Sequence, residues 1–153
     1  MRRIFFDTEF TDLVVDAKLI SIGFVDEAGE RTFYAELSNT WRLDDVGEFA
    51  RDVVLPLLEG GTALMAMHEL RKSLTDWLEA FDEPVQLATD SLAWDWRWIQ
   101  EVFCPQGAIP AWPPNLLPAP LLLTINYLIE FDEFEPAIER AFAEGLRRHH
   151  ALD

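Results

Sequence analysis

Ile4-Phe5-Phe6-Asp7-Thr8-Glu9-Phe10 is an apolar run that leads into two carboxylates one residue apart. A run of this length and composition reads as a buried strand. Side chains at i and i+2 of a strand point to one face, roughly 6–7 Å apart along it. Asp7 and Glu9 therefore project together from the end of a core strand. Two ionised carboxylates side by side in a partly buried place repel and lose hydration, which a cation offsets. Hard oxygen ligands on a rigid strand suit Mg²⁺ or Mn²⁺. The plain alternative is a strand end whose acids face water.

Outward from this stretch, a polar bend from Thr11 to Lys18 leads to Leu19-Ile20-Ser21-Ile22-Gly23-Phe24-Val25, a second buried strand. Asp26 to Glu30 is a hairpin turn in which Gly29 is free to take positive φ. Arg31 to Leu37 alternates polar and apolar residues, as a half-exposed third strand would. The opening is thus an antiparallel three-stranded meander. A helix is expected from Asp44 or Asp45 to about Leu58, with Val46, Phe49, Val53 and Leu57 on one face and Gly60-Gly61 beyond its end. A second helix runs from about His68 to Phe81 on the stripe Leu70, Leu74, Trp77 and Leu78, with His68 at its surface. Pro84 to Thr89 is a short strand, and Ser91 to about Phe103 is a helix carrying Asp95 near its start. Six of the nine prolines fall between Pro105 and Pro120, an irregular surface segment expected to lie over a site. Leu121 to Ile129 reads as a strand turning into a helix, and Glu135 to Glu144 as an amphipathic helix ended by Gly145.

The 153 residues suit one domain with a sizeable core, and 50% hydrophobic content with 26% charge is that of a soluble globular chain. No apolar window is long enough to span a bilayer, and the apolar start is broken too early by Asp7 and Glu9 for a secretory signal. The single cysteine, Cys104, has no internal disulfide partner, which suits the cytoplasm, and reads as a small core residue. The net charge of −16 is the reverse of what a polyanion binder working by backbone neutralisation carries. If nucleic acid is the partner, contact is confined to a short or single-stranded end, with metal ions supplying the positive charge.

Three places stand out: Asp7 and Glu9 on the first strand, Asp95 where a strand gives way to a helix, and His149-His150 near the end. A helix N-terminus favours an anion, so Asp95 taken alone reads first as a helix cap. Trp94, Trp96 and Trp98 around it are core residues or a stacking platform for bases. At spacings of two and four they cannot all share one helix face, so at least one points to the cleft or surface.

In order along the chain, Asp7-Thr8-Glu9-Phe10, the Asp95 of Ala93-Trp94-Asp95, and His149-His150-Ala151-Leu152-Asp153 resemble the three motifs of the DEDD (DnaQ-like) superfamily of 3′–5′ exonucleases, histidine subclass. Within it the chain looks most like the small bacterial ribonuclease AS group (polyadenylate-specific 3′-exoribonucleases), through the Phe-Asp-Thr-Glu-Phe opening, the Leu-Ile-Ser-Ile-Gly strand and the late proline-rich stretch.

The resemblance implies an α/β, RNase H-like mixed sheet flanked by helices, the meander being joined by parallel strands. It implies two Mg²⁺ or Mn²⁺ ions held by Asp7, Glu9, Asp95 and a fourth acid. His149 is then the general base toward the attacking water, and Glu9 orients water or the terminal 3′-OH. Thr8, Phe10, Leu13 and Trp94 face the substrate. The implied partner is the 3′ end of single-stranded RNA, with nucleoside 5′-monophosphates as products and no membrane; a homodimer is compatible with it. An exodeoxyribonuclease of the same fold, or a catalytically degenerate binding module, is the alternative.

The chain departs from the family in one respect. The fourth acid is expected five residues after the histidine, at position 154 if His149 is that histidine, and the sequence ends at Asp153. Residues 1–153 then form one exonuclease domain that ends inside its last motif. Asp153 standing in by a shift, or a crippled domain, are the other accounts.

Overall fold

A computed structural model describes residues 1–123. The helix expected at 135–144, most of the segment expected from Leu121 to Ile129, and His149, His150 and Asp153 lie outside the described residues.

The described chain runs through β1 (Arg2–Phe10), β2 (Leu19–Asp26), β3 (Thr32–Leu37), β4 (Leu64–Met65), α1 (Met67–Glu79), β5 (Val85–Thr89), α2 (Leu92–Phe103) and β6 (Leu121–Leu122). β1, β2 and β3 pair antiparallel, as the opening pattern predicts. β5 joins the other side of β1 in parallel. β4 extends the sheet beyond β3, and β6 beyond β5, both in parallel. The architecture is α/β, a six-stranded mixed sheet of order β4-β3-β2-β1-β5-β6. No helix among the described residues is long and apolar enough to cross a membrane.

The two faces of the sheet are covered differently. On one, Ile4, Phe6, Ile22, Phe24, Ala35 and Leu37 meet Leu70, Leu74 and Leu78 of α1 and Trp98, Ile99 and Val102 of α2. The four-residue spacing of the α1 leucines is the stripe that its sequence predicts. A register shift between Glu9 and Phe10 pairs Glu9 with Ser21 and Phe10 with Leu19. Ile20 is the extra residue of this bulge. It packs with Val46, Ala50 and Val54 in a second, smaller cluster.

The segment after the meander corrects the sequence reading. In place of one helix to Leu58 there is a 3₁₀ turn (Leu43–Asp45), a π turn (Ala50–Val54) and a second 3₁₀ turn (Leu55–Leu57). Val46, Ala50 and Val54 are buried, whereas Phe49, Val53 and Leu57 are exposed, Phe49 by 68%. A π turn closes i to i+5 and is wider than an α turn, so the inward stripe steps by four residues and misses 49, 53 and 57. Pro56 then lacks the N–H that a continuing helix needs. Val54→Ala is expected to cost about 1–3 kcal/mol and Val53→Ala less than about 0.5 kcal/mol. Urea unfolding of the two variants checks this; equal costs would favour the single helix.

Two further differences and the path of the proline-rich segment bear on the site. β3 is not half-exposed along its length: Ala35, Glu36 and Leu37 are all buried. Cys104 is exposed beyond the end of α2 rather than in the core. The proline-rich segment runs along β5 and α2, where Trp112 stacks on Trp96 and the chain leads into β6 beside Ala88. It is stitched to the start of β5, where Val85 N–H donates to Asn115 O (2.8 Å) and Leu117 N–H to Val85 O (2.9 Å). Asn115 Nδ2 also donates to Leu78 O and Phe81 O at the end of α1. In the sheet register Val85 stands beside Arg2, at the opposite end of β1 from Asp7 and Glu9.

Candidate functional site

Strand alternation places Asp7 and Glu9 on one face of β1, with Phe6 and Thr8 on the other. Both acids are half-buried. Gly23 stands opposite Asp7 and Ser21 opposite Glu9, so β2 places no side chain beside Asp7 and a small hydroxyl beside Glu9. β1 is also where the sheet changes character, with antiparallel β2 on one side and parallel β5 on the other. Open α/β sheets bind ligands beyond the carboxyl ends of strands at such a reversal, and that is the end of β1 that carries the two acids.

Asp95 lies in the first turn of α2 and is fully buried. Its Oδ1 accepts a hydrogen bond from Thr8 Oγ1 (2.7 Å), and its Oδ2 accepts one from Thr89 Oγ1 (2.5 Å). Thr8 is in β1 and Thr89 ends β5, so one carboxylate ties two neighbouring strands to a helix. Both hydroxyls are buried with it. Burial pushes the Asp95 carboxyl above its ordinary value of 3.8, the Thr8 and Thr89 hydroxyls pull it back, and the nearby Asp90 charge adds to the rise.

The raised value has a consequence for stability. The folded state holds this proton more tightly than the unfolded chain does. From the ordinary value up to the raised one, stability therefore falls as pH rises, and above the raised value the cost is fully present. Asp95→Asn does not titrate and loses this slope. Urea unfolding of both proteins across that window is expected to show a stability difference that changes with pH; a constant difference would mean that burial does not govern Asp95.

The donor chemistry of Asp7 and Glu9, two carboxylates sharing a strand face, fits a hard divalent cation. Both Asp95 oxygens accept from hydroxyls, Oδ1 from Thr8, whose side chain alternates to the helix-covered face, and Oδ2 from Thr89. Among the described residues no group of three or more His, Cys, Asp and Glu side chains is placed to hold a metal ion. His149 and the expected fourth acid lie outside the described residues.

The residues expected to face substrate divide. Phe10 stacks on Trp94, with ring centroids 5.7 Å apart and planes 17° from parallel, and leans on Trp98 at 6.1 Å. Trp96 instead stacks on Trp112 of the proline-rich segment, so the three tryptophans do split between faces. Thr8 is committed to Asp95. Leu13 is exposed by 67%, in a run with the exposed Val14 and Val15. That bend is held rather than loose. Thr11 and Lys18 close it through Thr11 N–H to Lys18 O (2.9 Å) and Lys18 N–H to Thr11 Oγ1 (2.9 Å). Arg97 of α2 donates to Val15 O (3.2 Å) and Ala17 O (3.4 Å). His68 is exposed, as expected.

Sequence reasoning missed Glu36, a buried acid on the face that carries Asp7 and Glu9. The signal was present: one glutamate in the otherwise apolar Tyr34-Ala35-Glu36-Leu37, followed by a glycine pair able to turn backbone N–H groups toward it. No protein-family model matches this chain, and a search of curated proteins finds no match.

Proposed function

We propose that this chain is a metal-dependent 3′–5′ exoribonuclease of the DEDD type, built on an RNase H-like sheet and acting on the 3′ end of single-stranded RNA. The observation that carries the reading is the pair Asp7 and Glu9, side by side on the central strand where the antiparallel meander gives way to parallel β5. Asp7 and Glu9 are the residues that would hold Mg²⁺ or Mn²⁺. When bound, two such ions clamp a scissile phosphate and stabilise its attacking and leaving oxygens. Glu9, one step nearer the strand end, is placed to orient the water or the terminal 3′-OH. Asp95 braces Thr8, the residue between the two acids, and so holds the spacing of the pair. The stacked Phe10 and Trp94 offer an aromatic edge for the last bases, and exposed Leu13 an apolar one. The general base in this reading is His149. The charge of −16 supports a small contact with the RNA end over a long electrostatic groove.

A second reading, a catalytically degenerate binding module of the same fold, is favoured by one observation: both Asp95 oxygens are taken by hydroxyls. Incubation of 5′-labelled single-stranded RNA and its DNA twin, with Mg²⁺, Mn²⁺ or EDTA, separates the two. The proposal expects RNA shortened from its 3′ end, with the ladder lost in EDTA. Equal shortening of the DNA would make the enzyme an exodeoxyribonuclease. Intact RNA that is nevertheless bound would support the degenerate module.

A further inference from the structure

Paired residues on neighbouring strands share a face of the sheet. Two rows therefore run across β1, β2 and β3 beside the proposed site: Asp7, Gly23 and Tyr34, then Glu9, Ser21 and Glu36. The far end of the second row is anchored. Glu36 is 2% exposed, and its Oε1 accepts from Glu59 N–H (2.5 Å) and Tyr34 OH (2.8 Å), while its Oε2 accepts from Gly60 N–H (2.9 Å). Gly60 has φ +65°, which turns successive N–H groups onto the carboxylate at no Cβ cost. Ser21 acts on the Tyr34 phenol in the opposite sense to Glu36, lowering its pKa as a hydroxyl that donates to the phenol oxygen does. Burial first, and then the Glu36 hydrogen bond and charge, push the Tyr34 phenol well above its ordinary value, so it remains a donor throughout the physiological range. Ser21 is the cross-strand neighbour of Glu9.

We infer that Ser21, Tyr34 and Glu36 form a positioning chain behind the acid pair, in which the Glu59–Gly60 backbone fixes Glu36, Glu36 fixes the Tyr34 hydroxyl, and Tyr34 fixes the Ser21 hydroxyl beside Glu9. The inference rests on the metal-dependent reading of Asp7 and Glu9. In this role the three act on the arrangement of the ligands. A carboxylate oxygen can accept more than one hydrogen bond, and Glu36 Oε1 takes the Tyr34 hydroxyl beside the Glu59 N–H, so the turn and the phenol are held by one side chain. The phenol and the serine carry the order on toward β1.

The test is Mn²⁺ titration of the full chain, read by the spectroscopic signal of free Mn²⁺, for wild type, Tyr34→Phe and Ser21→Ala, beside metal-free thermal unfolding. Groups that orient metal ligands change affinity by about 10- to 100-fold when removed. Tyr34→Phe keeps the ring and deletes the hydroxyl, so its Mn²⁺ affinity is expected to fall about tenfold or more while metal-free melting moves by only a few degrees. Ser21→Ala removes the smaller group, is expected to act in the same direction, and carries the test alone if Tyr34→Phe does not fold. Wild-type Mn²⁺ affinity in a folded variant overturns the inference and leaves the proposed function standing. Wild-type protein that binds no Mn²⁺ overturns the proposed function and the inference with it.

Discussion

Replacing Asp7 by asparagine is expected to lower 3′-end degradation by about a thousandfold or more, because the lost interaction is of the several-kcal/mol class that a metal clamp supplies to a phosphoryl transition state. The substitution is nearly isosteric, so the effect is electrostatic. Asparagine keeps a neutral oxygen but removes the charge that makes a carboxylate a good ligand for a hard cation. The fold is expected to survive it. Asp7 lies on the face opposite the α1 and α2 core, with glycine across the strand. Removing one of two neighbouring like charges also relieves repulsion in the metal-free protein. Metal-free melting is therefore expected to stay level or rise, and the stabilisation by Mn²⁺ to vanish. Saturating ion at about a hundredfold excess over Kd is worth roughly 3 kcal/mol to a protein that binds it. Parallel measurements of degradation and of Mn²⁺-dependent melting check both halves. Full activity in Asp7→Asn would remove Asp7 from the site.

Asp95→Ala is expected to act through the fold instead, at a cost of about 3–5 kcal/mol. Two buried hydroxyls, Thr8 Oγ1 and Thr89 Oγ1, lose their acceptor at once. Each buried polar group left unsatisfied costs about 1–3 kcal/mol, and a small cavity adds to that. For a chain of this size the melting temperature falls by roughly 10–20 °C. Asp95→Asn keeps the shape and one acceptor oxygen and is expected to lose much less. Thermal unfolding of the two variants, with Thr8→Val and Thr89→Val as partners in double-mutant cycles, measures the brace directly. If Asp95 served the protein only as a ligand, the alanine variant would melt like wild type without metal, and the cycles would show no coupling to either threonine.

The two acids thus carry different kinds of prediction, although the motifs make them look alike. Asp7 and Glu9 could be placed from sequence, since an i, i+2 pair on a strand shares a face wherever the strand goes. The role of Asp95 could not. Its position near the start of α2 was legible, but a helix start states only that an anion is welcome there. Thr8 is 87 residues away in sequence, and nothing local says that its hydroxyl meets Asp95. Phe10 and Trp94 were both legible as aromatic candidates; that they stack on each other follows from docking α2 against the end of β1. Glu36 was passed over because an acid on a short alternating strand looks solvated until the 59–60 turn closes on it.

Local order follows from the sequence alone: the three strands of the meander, the leucine stripe of α1, the β5 and α2 segments, and the shared face of Asp7 and Glu9. Each follows from a period of two or of about 3.6 residues, which a short window contains in full. How those pieces meet depends on contacts between distant parts of the chain. The bulge that turns Ile20 toward Val46, Ala50 and Val54, the shift of the 46–54 stripe, the clasp of Arg97 on the 11–18 bend and the hydroxyl brace on Asp95 all depend on residues far apart in the chain. Their energies come from packing and from the need of buried polar groups for partners, and no short window of sequence holds both halves of such a contact.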